Sequence, residues 1–503
     1  MFDKKFLYIG NNSLDTDDRV SQLAGILNTT NNGLIESTSF KPTKSGLYHT
    51  SLVDLPFGAI LSLASNFDQI ILLDQPSNEW TSSRILLSSY KLLVELDSMG
   101  ASTVYKNNEN IKSFVEFGEF LKTNKSFCIY PWINFIEEDG SMRLCARSSV
   151  PITTADQLVD WKNDENWLEI RNKMLAGEQL PTHCQVCYDY ESKGIESYRI
   201  FETKDWLAKL DINSIDDLKG IDKPYYYEMR LNNTCNLMCR SCVPKSSILI
   251  EREYKEIGFK QYDKSYVYTD LKYIDIDSLD SKTRVYLTGG EPTIMIDVFE
   301  FMEKCIAKNK TDFEFSLGTN AAKISDRFLN LARHFTNLGF SVSLDGFGRV
   351  NDYWRWGSDW DTIVKNMHLL EQQGHVISIN TVPGIYSITS LHLLYEFLDR
   401  EFPKTTIYLQ LNYIPEQSAY NHPNHELVLA SLEKCKQTSV YHADGKSNKT
   451  GIDSLYNHYA TNPQCDLVLL KKFFEFNDKL DQSRNVKLVD YIPELEECRK
   501  YVV

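Results

Sequence analysis

The sequence predicts an α/β protein in which a parallel sheet curls into a partial (β/α)6 barrel, preceded by a small α/β domain and a small cysteine-rich domain. Three observations carry that prediction. From residue 225 to 414, strand-like runs alternate with amphipathic stretches of helical length, the mark of βα units and a parallel sheet. Residues 1–125 show a shorter version of the same alternation. Between them lies a segment dense in Cys, Trp and Tyr and poor in long periodic runs.

In residues 1–125, FLYIG (Phe6 to Gly10) and FDQIILLD (Phe67 to Asp74) read as buried strands, and Ser82 to Leu96 has helical spacing. No G-x-G-x-x-G or Walker loop occurs there, so nothing points to a nucleotide role. Residues 126–208 suit a small domain stapled by a metal cluster. The polar, acidic LDINSIDDLKGIDK, between Lys209 and Pro224, reads as a linker or short helix.

Residues 224–415 carry the barrel. Its strands are YYYEMRLN (Tyr225 to Asn232), RVYLTGG (Arg284 to Gly290), DFEFSLGTN (Asp312 to Asn320), FSVSLDG (Phe340 to Gly346), HVISINTV (His375 to Val382) and TTIYLQLNYI (Thr405 to Ile414). Such barrels place their chemistry at the C-terminal strand ends. The unusual residues fall there: 232–242, 289–292, 319–320 and 343–346. Residues 416–503 are mostly polar with a helical pattern, and read as a C-terminal extension without an assigned role.

A chain of 503 residues is long enough for two to four domains, each with its own core. At 42% hydrophobic and 24% charged it has the composition of an ordinary folded protein. A net charge of −15 argues against nucleic acid as a main partner, because gripping phosphates needs dense Lys and Arg. The apolar core of MFDKKFLYIGNNS is too short for a secretory signal, and no run reaches the length of a membrane span. The expected location is the cytoplasm, away from membrane. There the eleven cysteines serve metal ligation, catalysis or burial rather than disulfides.

Cys235, Cys239 and Cys242 form C-x3-C-x2-C directly after the first barrel strand. Three thiolates on one tight loop can hold three irons of a 4Fe-4S cube, whereas a purely electron-carrying cluster takes four. The fourth iron then stays open, as one position of a catalytic zinc does. Three buried cysteines, or part of a zinc site, are the plainer alternatives.

LTGGEPTI (Leu287 to Ile294) ends the second strand. Gly289 and Gly290 let the backbone turn sharply and approach a ligand, and Glu291 can accept hydrogen bonds from a cationic amine. Asn320, Ser343 and Asp345 either touch a cofactor or cap a helix and a turn. Arg355, in DYWRWGSDW, is either a partner for a carboxylate or a solvated arginine between tryptophans.

Upstream, Cys128, Gly140 and Cys145 form C-x11-G-x4-C, and the pair Cys184 and Cys187 follows after 38 intervening residues. Four thiolates suffice to close a second 4Fe-4S cluster or a structural zinc site, and Gly140 permits a hairpin between the first two. His183, beside Cys184, is either a further metal ligand or, the plainer reading, an ordinary exposed histidine. Cys305 and Cys435 read as buried, while Cys465 or Cys498 is a distant candidate to complete a cluster.

On its TCNLMCRSC and LTGGEPTI segments the chain resembles the radical S-adenosylmethionine (SAM) superfamily, over Tyr225 to Ile414. The resemblance implies an enzyme whose three cysteines hold a 4Fe-4S cluster, with the open iron chelated by the amino and carboxylate groups of SAM. An electron then splits the sulfonium and yields a 5'-deoxyadenosyl radical that takes hydrogen from a substrate. It further implies that Gly289, Gly290 and Glu291 bind the methionine amino group, that Asn320, Ser343 and Asp345 contact ribose and carboxylate, and that Arg355 meets the SAM carboxylate. Ser241 departs from the family, which commonly has an aromatic residue there that packs near the adenine. The upstream cysteines resemble the twitch domain, a shortened SPASM auxiliary-cluster domain, here placed before the barrel.

The implied function is radical chemistry on a peptide or protein, with the same chemistry on a small metabolite, sugar or nucleotide as the alternative. An electron donor such as flavodoxin or ferredoxin is implied as a partner. A non-catalytic metal-binding or redox-sensing protein is the reading from another class, against which the GGE and SLDG loops speak.

Overall fold

The computed structural model describes residues 6–9, 48–50, 69–72 and 102–105, and then 116–502 apart from 119, 149, 155–159, 193–196, 260–267, 413, 444–445 and 462. The chain divides into two compact units, Met1–Asn134 with Arg143–Pro224, and Phe135–Met142 with Tyr225–Val503.

In the first unit, β1 (Phe6–Ile9), β2 (Tyr48–Thr50), β3 (Gln69–Leu72) and β4 (Ser102–Tyr105) form a sheet in the order β2-β1-β3-β4, parallel at every pair. β1 and β3 fall on the two expected runs. The helix expected over Ser82 to Leu96 lies outside the described residues. Helices Glu165–Leu175, Pro181–Ser192 and Tyr198–Leu210 follow. Asp164 starts the first by accepting from the amides of Asn166 and Trp167, and Ser197 starts the third by accepting from Ile200 N. Each cap satisfies donors that have no partner within the helix, typically worth about 1 kcal/mol. Trp167 and Trp206 point inward from these helices and are fully buried. The acidic segment before Pro224 forms the short helix Ile215–Gly220.

The second unit is built on six parallel strands. They are β5 (Tyr226–Arg230), β6 (Arg284–Thr288), β7 (Glu314–Thr319), β8 (Leu338–Ser343), β9 (Val376–Thr381) and β10 (Thr406–Leu409), paired in sequence order. Each of the six predicted runs contains or overlaps one of them, which is the partial-barrel arrangement expected. The hairpin strands Asn134–Glu138 and Ser141–Arg143 continue the sheet beyond β5. Asp139 and Gly140 turn that hairpin with φ of 57° and 70°, and such paired positive angles suit a tight two-residue hairpin turn.

β6 to β9 alternate rather than running apolar throughout. Val285, Leu287, Phe315, Leu317, Phe340, Val342, Ile377 and Ile379 are buried, while Ser316, Ser341, Ser343, Ser378 and Asn380 on the other face are only partly so. A parallel sheet covered on both faces reads as continuous apolar runs, so the alternation means that helices cover one face and leave a polar lumen on the other. The covering is aromatic: Phe301 of helix Ile296–Ala307 meets Phe315 at 5.9 Å between ring centroids, and Phe328 of helix Asp326–Ala332 meets Phe340 at 5.9 Å. Each such ring contributes about 1.5–3 kcal/mol by burial.

After the barrel come helices His425–Cys435, Lys446–Ala460 and Leu467–Arg484. Leu470, Phe473 and Phe474 of the last join Tyr353, Trp354, Tyr386 and Cys498 in one apolar cluster, with Cys465 packed against it. Among the described residues, no helix is long and apolar enough to cross a membrane.

Candidate active site

The loop that leaves β5 is fastened to the loop that leaves β6 through backbone alone. Leu231 N donates to Thr288 O at 2.8 Å, Gly290 N to Asn232 O at 2.9 Å and Glu291 N to Thr234 O at 2.8 Å. A Cβ on Gly290 would lie 2.2 Å from Thr234 O, and one on Gly289 2.9 Å from Leu231 N. The close approach that the paired glycines permit is thus to the backbone of the cysteine loop.

Cys235, Cys239 and Cys242 lie on that loop. Burial raises all three thiols; the Cys239 charge adds to this at Cys235, pushed up to about 12, and Cys239 and Cys235 add to it at Cys242. Arg355 pulls the other way on each of them. Bound metal would reverse this balance by drawing off their protons.

Glu291 is fully buried, and its carboxylate already accepts from Thr293 N (3.1 Å), Thr293 Oγ1 (2.7 Å), Thr319 Oγ1 (2.7 Å) and Asn320 N (2.6 Å). Burial pushes its pKa up, against these donors. Glu291 therefore straps the β6 loop to the end of β7. Asn320 does not cap a helix, since Ser325 does that for Asp326–Ala332. Its Oδ1 accepts from Ala322 N at 2.8 Å and its Nδ2 donates to Asn236 Oδ1 at 3.0 Å, reaching the cysteine loop. Ser343 ends β8 opposite Asn380 of β9.

Asp345 is buried, accepts from Val382 N at 2.9 Å and pairs with Arg355, whose Nη2 lies 2.6 Å from its Oδ2. This corrects the picture of a solvated Arg355, whose side chain is only 14% exposed. Its Nε is buried without a hydrogen-bond partner.

Ser241, the departure from the family pattern, accepts from Trp354 Nε1 at 3.0 Å. The side chain beside it was not read from the sequence at all. Arg240 is fully buried and donates from Nε to Tyr353 O (2.9 Å), from Nη1 to Asn477 Oδ1 (2.9 Å) and from Nη2 to Asp481 Oδ1 (2.6 Å). The only local signal was an arginine inside the cysteine motif.

In the first unit, Cys128, Cys145, Cys184 and Cys187 are all buried and line one cavity with Tyr130, Leu144, Arg147, His183, Tyr198 and Arg199. Burial, then Cys184, raise the Cys128 thiol; burial, then Cys145 and Cys187, push Cys184 up to about 12. Arg199 opposes both shifts, and is held by Glu191 through Nε at 3.1 Å and Nη2 at 2.5 Å. His183 is half-buried rather than exposed, with Nδ1 3.0 Å from Ser148 Oγ. Among the described residues, no three His, Cys, Asp or Glu side chains are gathered tightly enough to hold a single metal ion. Cys305 and Cys435 are buried as expected, and the Cys465 and Cys498 thiols donate to Asn421 O and Glu494 O within the apolar C-terminal packing.

Residues 229–397 match the family model described as the radical SAM superfamily. This part of the chain belongs to the radical SAM superfamily. The match runs from β5 to the helix before β10 and takes in both fastened loops.

The radical SAM segment is 27% identical over 157 residues to GTP 3',8-cyclase of Synechocystis sp., covering 30% of this chain and 43% of that protein. Molybdenum cofactor biosynthesis protein 1 of Drosophila melanogaster is 23% identical over 161 residues, covering 31% and 26%. The chain thus spans less than half the length of these curated relatives. Among solved structures, SuiB of Streptococcus suis bound to precursor peptide SuiA is similar at 14% identity and a TM-score of 0.27, covering 62% of this chain and 64% of that one. Native anSMEcpe with bound AdoMet is similar at 16% identity and a TM-score of 0.32, covering 42% and 59%.

Radical SAM membership implies a 4Fe-4S cluster and SAM. The residues present fit an anionic, thiolate-bound guest: three cysteines on one loop, and the Arg355 guanidinium, which favours the thiolate at each of them and whose Nε is buried without a partner.

Proposed function

We propose that this protein is an enzyme that reductively cleaves SAM at a 4Fe-4S cluster held by Cys235, Cys239 and Cys242, and uses the resulting 5'-deoxyadenosyl radical to modify a peptide or protein. One observation carries the reading. A three-thiol loop at the C-terminal end of the first barrel strand is fastened by backbone bonds to a Gly-Gly-Glu loop at the end of the second. The bound cluster supplies the electron for the cleavage. Asn320 follows the end of β7, Ser343 and Asp345 lie at the end of β8, and Arg355 caps the helix after it; these four orient SAM through ribose and carboxylate contacts. Glu291 and the backbone of Gly289 and Gly290 hold the shape of the amine-binding side.

Cys128, Cys145, Cys184 and Cys187 hold a second 4Fe-4S cluster. A single zinc would draw four sulfurs to about 3.8 Å of one another, given Zn–S bonds of about 2.3 Å. Four thiols lining one cavity supply one ligand for each iron of a four-iron cluster. The domains are then a small α/β domain (1–125), an auxiliary cluster domain of twitch type (126–208), the barrel (224–415) and a helical extension (416–503). The auxiliary site favours a peptide substrate. The likeness to a GTP cyclase favours a nucleotide as the second reading. Free thiols at all eleven cysteines suit the reducing cytoplasm, where a flavodoxin or ferredoxin delivers the electron.

The test is anaerobic reconstitution followed by dithionite and SAM. The expected result is about eight irons per chain, from two four-iron clusters, and slow release of 5'-deoxyadenosine. A fully loaded, reduced protein that leaves SAM intact would sink the enzyme reading.

A further inference from the structure

The three-cysteine loop has an anchor far from the barrel. Arg240 stands in sequence between Cys239 and Cys242, and none of its side chain is exposed. Every nitrogen of its guanidinium has an acceptor: Tyr353 O, Asn477 Oδ1 and Asp481 Oδ1. The group also lies over the Tyr353 ring, with Cζ 3.5 Å from its centroid. Its backbone is equally committed, with N donating to Trp354 O at 2.8 Å and O accepting from Gln417 Nε2 at 3.0 Å.

The acceptors are themselves fixed. Asp481 also accepts from Tyr353 Oη at 3.0 Å and Leu488 N at 2.9 Å, and Asn477 accepts from Tyr386 Oη at 3.0 Å while its Nδ2 donates to Phe473 O at 2.8 Å. A second pair runs alongside, in which Arg484 of the same helix grips Glu253 at 2.8 and 2.6 Å. Stability alone does not account for such an arrangement. A buried ion pair gains little over well-packed apolar side chains of the same volume, because desolvation offsets most of the attraction. What the pair and its planar fork do supply is a single geometry for the residue that carries them.

We infer that Arg240 is a positioning residue for the cluster, fixing the Cys239 and Cys242 thiolates through its grip on Asn477 and Asp481, so that helix Leu467–Arg484 is part of the cluster site. The inference rests on the reading of Cys235, Cys239 and Cys242 as cluster ligands. Misplacing two of three thiolates changes the environment of the open iron and loosens SAM on it. Partners one step removed from a metal typically cost 10–100-fold when lost.

The experiment compares full-length wild type, Arg240→Lys, Asp481→Asn and Arg499→Ala after reconstitution. Arg499 pairs with Asp478 on the same helix at 2.9 Å and touches nothing in the loop, so it controls for general loosening of that helix. The readouts are the EPR spectrum of the reduced cluster with and without SAM, the SAM dissociation constant per bound cluster, and the melting temperature of the metal-free protein. R240K and D481N are expected to weaken SAM by about tenfold or more and to shift or broaden the SAM-dependent EPR signal. R499A is expected to leave both at wild-type values. Should R240K fail to fold, D481N decides the matter. Wild-type SAM affinity and EPR in D481N overturn the inference, as do losses in D481N that merely match those of R499A at equal loss of melting temperature. A wild-type protein with no SAM-responsive cluster would instead remove the underlying reading, a separate and recognisable failure.

Discussion

Arg355 Nη2 lies 2.6 Å from Asp345 Oδ2, and this buried pair joins the end of β8 to the side of the three-cysteine loop. Removing one partner strands the other. Arg355→Ala is expected to cost about 3–5 kcal/mol, because Asp345 then becomes an uncompensated buried charge. The double variant Asp345→Asn with Arg355→Met should recover much of that loss in urea unfolding while SAM binding, followed by titration, stays impaired. Normal SAM binding in the double variant would reduce the pair to a structural tie.

Gly290→Ala places a methyl group 2.2 Å from Thr234 O, a backbone atom that cannot swing aside. Overpacking of this kind typically costs about 1–3 kcal/mol. The two loops separate, so the loss should appear both as a lower urea midpoint and as iron missing from the three-cysteine site. An Ala variant that melts and loads iron like wild type would mean that the loops are not coupled.

Acid stability should depend on His422. Burial holds its imidazole down at about 4, with Nδ1 accepting from Asn424 N at 3.1 Å and Nε2 buried without a partner. The folded state keeps it neutral while the unfolded chain takes up a proton near 6.5. Its contribution is therefore present above pH 6.5 and is lost as pH falls towards 4, by up to about 3 kcal/mol. Melting curves of the metal-free protein from pH 7 to 4 should fall less steeply in His422→Asn than in wild type. Parallel curves would assign the acid sensitivity to other groups.

The two proposed metal sites should separate cleanly. Replacing Cys184 and Cys187 with Ala should remove about four irons per chain and leave SAM cleavage intact, uncoupled from product. Ala at Cys235, Cys239 and Cys242 should abolish cleavage and spare the upstream iron. Loss of cleavage in the first variant, with its barrel folded and its SAM cluster retained, would show that the upstream cluster does more than shape the substrate region.

What could be read in advance followed from how local each signal is. The six barrel strands were legible because each carries its own burial pattern within six residues or fewer. The cysteine and Gly-Gly-Glu loops were legible because their chemistry is written in consecutive residues. Arg355 was half misread, since a loop of Gly, Ser, Asp and Trp resembles surface, and its partner Asp345 lies ten positions back. Arg240 was not legible at all. Its side-chain acceptors lie 237 and 241 residues further on, in a mostly polar C-terminal stretch that read as an extension without an assigned role.

That separation also sets an order of events in the cell. A ribosome adding about 5–20 residues per second makes Asp481 roughly 12 to 48 s after Arg240. For nearly all of that interval the three cysteines have been made and helix Leu467–Arg484 has not, and for most of it the last barrel strand, Thr406–Leu409, is missing too. Iron delivered so early would meet a loop free to take the wrong ligands. On the inference drawn above, cluster loading belongs after helix Leu467–Arg484 has been made, and fragments ending before residue 467 should reach the assembly machinery as poor recipients.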